Sequence, residues 1–179
     1  MAWRQVGMMV AGLLVSGMAR ADGDALAEAM SRNPDRFEAR AVDLIAGFGG
    51  ADGLRAEDIE THIALERAGA RASGLRRFLA MDLDADGAVT RAELAVTQHA
   101  ASAQGRGRME RQFASADADG NDAVDASELA AFGTAAGLQA LGADEADGLR
   151  ALMQLDADGN GALTTAEVAA AVARLDGSG

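Results

Sequence analysis

Asp82-Leu83-Asp84-Ala85-Asp86-Gly87-Ala88-Val89-Thr90-Arg91-Ala92-Glu93 sets four carboxylates at positions 1, 3, 5 and 12 of a twelve-residue stretch, around a glycine at position 6. Alternate residues of a tight loop can aim their oxygens at one centre, and a distant Glu can close the shell with both of its own. That donor set suits calcium, a hard cation that takes six to eight oxygens. The pattern returns as Asp117-Ala118-Asp119-Gly120-Asn121-Asp122-Ala123-Val124-Asp125-Ala126-Ser127-Glu128 and as Asp156-Ala157-Asp158-Gly159-Asn160-Gly161-Ala162-Leu163-Thr164-Thr165-Ala166-Glu167. The three starts lie 35 and 39 residues apart, which marks a repeated structural unit; one match alone could be an accident in an acidic, glycine-rich chain.

On these residues the chain resembles a calmodulin-like member of the EF-hand superfamily, over most of residues 34–176. The resemblance implies an all-α fold of helix-loop-helix units, with short β pairing between loops at position 8, here Val89, Val124 and Leu163. It also implies the ligands. In the first loop these are Asp82, Asp84, Asp86, the Ala88 carbonyl, Thr90 and a bidentate Glu93. The second offers Asp117, Asp119, Asn121, the Ala123 carbonyl, Asp125 and Glu128. The third offers Asp156, Asp158, Asn160, the Ala162 carbonyl, Thr164 and Glu167. Three calcium ions are expected. The 156–167 loop has one carboxylate fewer than the first and is expected to bind more weakly. The 117–128 loop departs from the pattern, because position 6 needs a left-handed backbone and holds Asp122 in place of glycine, which costs the site strength.

Each loop has a large apolar side chain four residues before its first ligand, Phe78, Phe113 and Leu152, and one just after its closing Glu, Leu94, Leu129 and Val168. These are the inner faces of entering and exiting helices. Such units pair, so a fourth is expected upstream. Aligning Leu54 with position 8 gives a degenerate loop at 47–58, whose positions 1, 3 and 5 are Gly47, Gly49 and Ala51 and cannot hold calcium. Helices are expected near 35–46, after the Asn33-Pro34 start signal, and near 56–68. Four hands then form two paired lobes. The first, 34–103, holds loops 47–58 and 82–93; the second, 108–176, holds loops 117–128 and 156–167. The glycine-rich Ala103-Gln104-Gly105-Arg106-Gly107 supplies a hinge at 104–107.

Residues 1–21 read as a secretory signal: Arg4 near the start, an apolar run from Val6 to Met18, then Ala19-Arg20-Ala21 at a small-x-small cleavage point. A flexible segment, 22–33, would follow. Cleavage after Ala21 predicts a periplasmic or secreted product with no membrane insertion. Removing Arg4 and Arg20 takes the formal charge from −12 to −14. Self-repulsion on that scale should loosen the ion-free form, and the same charge makes nucleic acid or an anionic membrane surface a poor partner. The chain has no cysteine and is long enough to bury a core without one.

Asp144-Glu145-Ala146-Asp147 suits a helix N-terminus. His62 and His99 read as surface or packing residues, since a transition-metal site needs several convergent ligands. Arg67, Arg71, Arg76 and Arg77 solvate a helix or meet an acidic partner. No nucleophile with an adjacent base and no phosphate-binding loop is present, so an enzyme is not expected. The sequence points to a monomeric calcium sensor or modulator of a protein or peptide target, or alternatively to a calcium buffer or calcium-stabilised structural module.

Overall fold

The computed structural model describes residues 26–176; the expected signal segment and its cleavage point lie outside them. The fold is mainly helical: α1 (Pro34–Phe48), α2 (Ala56–Leu79), β1 (Val89–Thr90), α3 (Arg91–His99), α4 (Ala103–Ala116), β2 (Ala123–Val124), α5 (Ala126–Ala140), α6 (Ala143–Ala151), a 3-10 turn (Leu152–Leu155) and α7 (Thr165–Asp176). Among the described residues, no helix is long and apolar enough to cross a membrane.

Local signals account for the helix starts. Asn33 accepts the Arg36 N–H and Pro34 follows it, as expected for α1. Thr90 and Asp125 cap α3 and α5 in reciprocal capping boxes with Glu93 and Glu128. The loop-closing glutamates therefore also begin the exiting helices.

The described residues divide into two compact units, 26–59 with 147–176, and Glu60–Ala146. In the Glu60–Ala146 unit, β1 and β2 pair antiparallel with Val89 opposite Val124. Beneath them lies a core of Phe78, Met81, Val89, Leu94, Phe113, Ala116 and Val124, joined by the partly buried Met109, Leu129 and Phe132. Phe78 meets Phe132 edge-on, with ring centroids 5.0 Å apart. In the other unit, α1 packs on α7, and Leu54 and Leu163 form an antiparallel bridge. Ala41, Leu44, Leu54, Ile59, Leu163, Val168 and Val172 are buried there.

This pairing differs from the expected lobes 34–103 and 108–176. Loop 82–93 pairs with 117–128, and loop 47–58 with 156–167. The reason is local. Pairing 47–58 with 82–93 would need the segment between them to turn back, and that segment is the unbroken 24-residue helix α2. Between α3 and α4 the chain does reverse, at 100–102, and short connections make antiparallel neighbours. The expected hinge at 104–107 is inside α4: Ser102 caps that helix by accepting the Gly105 N–H at 3.2 Å, so both glycines are helical. The expected flexible segment is helical over 26–32, because Leu26 and Met30, four residues apart, bury one shared face.

Candidate metal centres

The 82–93 loop begins where α2 ends, with the Asp82 N–H donating to the Phe78 carbonyl at 3.0 Å. Its carboxylates are then fixed by backbone donors of the loop itself. Asp82 Oδ2 accepts the Gly87 N–H (3.1 Å), Asp84 Oδ1 the Asp86 N–H (3.2 Å) and Asp86 Oδ1 the Ala88 N–H (2.8 Å). Glu93 spans the loop: Oε1 accepts the Leu83 N–H at 2.7 Å, and Oε2 accepts the Thr90 N–H and hydroxyl, both at 2.8 Å.

The same bonds recur at the same offsets in the other two loops. Glu128 accepts the Ala118 and Asp125 N–H groups at 2.7 and 3.0 Å, and Glu167 those of Ala157 and Thr164 at 2.9 and 3.0 Å. Asn121 and Asn160 hold the Ala123 and Ala162 N–H groups at 2.8 Å, which fixes the peptides at position 7. In each loop three carboxylates approach within 4.8 Å: Asp82, Asp84 and Asp86; Asp117, Asp119 and Glu128; Asp156, Asp158 and Glu167. Oxygen alone, without cysteine or histidine in any cluster, is the donor set of a hard cation.

Asp82 Oδ1 is buried and has no hydrogen-bond partner among the described residues. A buried carboxylate oxygen left unpaired is costly, and a cation at the loop centre would satisfy it. The residues present therefore fit a bound calcium ion.

Hydrogen bonds hold two closing glutamates ionised. Glu93 is lowered from 4.5 to about 2, first by the Thr90 N–H, then by the Thr90 hydroxyl and the Leu83 N–H, against a smaller opposing effect of burial. Glu167 is also lowered to about 2, in the same order by the Thr164 N–H, the Thr164 hydroxyl and the Ala157 N–H. Position 9 of the 117–128 loop is Asp125, which has no hydroxyl to give Glu128 but, like Thr90 and Thr164, accepts the N–H of its closing glutamate, here at 2.9 Å. Thr90, Asp125 and Thr164, expected as ligands, are engaged here with their closing glutamates.

Positions 4 and 6 both take a left-handed backbone. Position 6 is Gly87 (φ 88°), Asp122 (φ 66°) and Gly161 (φ 80°), and position 4 is Ala85 (φ 61°), Gly120 (φ 72°) and Gly159 (φ 70°). The expected strain at Asp122 is thus present, with a second instance at Ala85 that the motif did not single out. The 47–58 loop lacks carboxylates at positions 1, 3 and 5, yet keeps the closing contact: Asp58 Oδ2 accepts the Arg55 N–H at 2.8 Å.

Two arginine arrangements were not legible in the sequence. Arg91 Nε lies 3.2 Å from Asp122 Oδ1, its guanidinium also pairs with Glu110, and its Cζ sits 4.4 Å from the Phe113 ring centroid. Arg67, one of the four basic residues of α2, donates to the Leu141 and Gly142 carbonyls at 2.9 and 3.2 Å, at the C-terminal end of α5. The acidic stretch at 144–147 opens α6, where Glu145 accepts the Gly142 N–H.

Comparison with known proteins gives one family match, the EF hand, over residues 75–96, which takes in the end of α2, the whole 82–93 loop and the start of α3. Neither the curated proteins nor the solved structures give a match. The match suggests calcium binding, in a family that is typically non-enzymatic, and the two other acidic clusters are consistent with loops of the same kind. Over residues 75–96 the chain is thus similar to the EF hand, and the clusters at 117–128 and 156–167 repeat the same acidic arrangement outside the matched segment.

Proposed function

We propose that the protein is an exported calcium-binding protein that modulates a protein partner in response to calcium. The three acidic loops are the binding sites, and the ligands are those the motif assigns, with Asp82, Asp84, Asp86, the Ala88 carbonyl and Glu93 the most complete set. The observation that carries the reading is the paired arrangement of 82–93 and 117–128. Val89 and Val124 sit opposite each other and are fully buried in the same core as Phe78 and Phe113, so a ligand change in either loop bears on the entering helices of both. Export rests on the sequence pattern of residues 1–21 alone.

A structural role is favoured for the site at 156–167. Its strand partner, Leu54, belongs to a loop without ligand side chains at positions 1, 3 and 5, so ion binding there has no second site to couple with.

Calorimetric calcium titration of the chain from Asp22, with circular dichroism and apolar-dye binding before and after, tests both readings. Three sites with a rise in dye binding support the modulator. Three sites without it leave a buffer or a calcium-stabilised module, and no sites overturn calcium binding altogether.

A further inference from the structure

We propose that Asp122 is a positioning residue for the neighbouring loop: it belongs to 117–128, but by neutralising Arg91 it sets the calcium affinity of 82–93. The inference rests on the calcium reading above and adds a regulator of one site to it. Asp122 occupies a backbone of φ 66°, where the first and third loops carry glycine. A non-glycine residue held in that region carries a backbone cost that a contact of its side chain can offset.

Its own loop fixes where the side chain goes. The Asp122 N–H donates to Asp117 Oδ2 at 3.2 Å, within the 117–128 cluster, while its carboxylate reaches Arg91 Nε, also at 3.2 Å. The Arg91 N–H returns to the Asp122 carbonyl at 3.0 Å. Arg91 directly follows Thr90 and stands two residues before Glu93. Glu110 and the fully buried Phe113 ring hold the guanidinium there.

Arg91 is position 10 of the 82–93 loop, so its charge counts against a divalent cation held there, and Asp122 together with Glu110 offsets it. Among the described residues Asp122 has no hydrogen bond to Asp82, Asp84, Asp86 or Glu93, so its influence on that loop runs through Arg91. The pair is partly solvated, with side chains 40% and 70% exposed. Exposed ion pairs are weak, so the expected effect is about two- to fivefold in affinity.

The test is a calcium titration of the full chain by NMR, following the amides of Gly87 and Gly120, one in each loop. Asp122→Asn should raise the calcium midpoint at Gly87 by about two- to fivefold, and Arg91→Gln should lower it. In the Arg91→Gln background, Asp122→Asn should leave the Gly87 midpoint unmoved. Asp122→Gly should split the signs, tightening its own loop at Gly120 by relieving the backbone while weakening 82–93 at Gly87. An unmoved Gly87 midpoint in both Asp122 variants, or the same shift with and without Arg91, overturns the proposal. Gly87 and Gly120 signals indifferent to calcium in the unsubstituted chain would instead defeat the calcium reading on which it stands.

Discussion

The Leu54 N–H donates to the Leu163 carbonyl at 2.9 Å and the Leu163 N–H returns to Leu54 at 2.8 Å, so a loop without carboxylates at positions 1, 3 and 5 is bridged to the acidic 156–167 loop. The contact depends on Gly53. Its φ is +121°, and a Cβ there would stand 2.6 Å from the Leu163 carbonyl oxygen. Gly53→Ala should therefore destabilise the α1–α7 unit by about 1–3 kcal/mol, the usual range for a forced backbone. Thermal unfolding together with a calcium titration followed at Gly159 checks it: weaker binding at Gly159 and an unchanged Gly87 midpoint are expected.

Ala85 bears the same kind of backbone cost. At φ 61° a Cβ is disfavoured by about 1–2 kcal/mol, and part of that is recovered because alanine loses less chain entropy on folding than glycine. Ala85→Gly should stabilise the Glu60–Ala146 unit by about 0.5–1 kcal/mol net, read as a rise in the denaturation midpoint in chelator. A drop in that midpoint would show that the left-handed backbone at position 4 is not strained.

Within the described residues, the acidic loops, the helices that leave them and most of the apolar residues buried beside them were legible, because each depends on spacing within one short segment. Leu54 as strand partner was legible too, since position 8 is counted from its own loop. Which loop pairs with which was not. The motif is nearly identical in each copy, and partner choice turns on whether the intervening segment reverses. Gly69 and Gly74 in α2 and Gly105 and Gly107 in α4 look alike as breaks in a sequence, yet all four are helical. The actual reversal, at 100–102, carries only Ala-Ala-Ser. The Arg91 cluster was not legible because its partners Glu110, Phe113 and Asp122 are 19 to 31 residues away.

Phe113 joins the two loops through the core. It is fully buried, lies under the Arg91 guanidinium and precedes Asp117 by four residues. Phe113→Ala should cost about 3–5 kcal/mol, the range for emptying an aromatic site. It should also broaden the calcium transitions at both Gly87 and Gly120, because β1 and β2 rest on the same cluster. Phe113→Leu, which refills most of the volume, should restore the greater part of the stability.

Acid should loosen the protein in a window set by Glu93 and Glu167. Both stand at about 2 in the folded chain against an ordinary 4.5. A depressed carboxylate contributes stability that is complete above its unfolded value, because between the two values the unfolded chain binds the extra proton. As pH falls from about 4.5 towards 2 that contribution drains away, and below 2 it is gone. Denaturation midpoints measured in chelator from pH 6 to 2 should fall through this window. Glu93→Gln, which keeps the shape but cannot ionise, should lower stability at pH 6 and flatten the slope below 4.5. The variant and the parent should converge near pH 2. Parallel curves for the two proteins across the whole range would mean that the Leu83 and Thr90 donors do not discriminate the carboxylate from its protonated form.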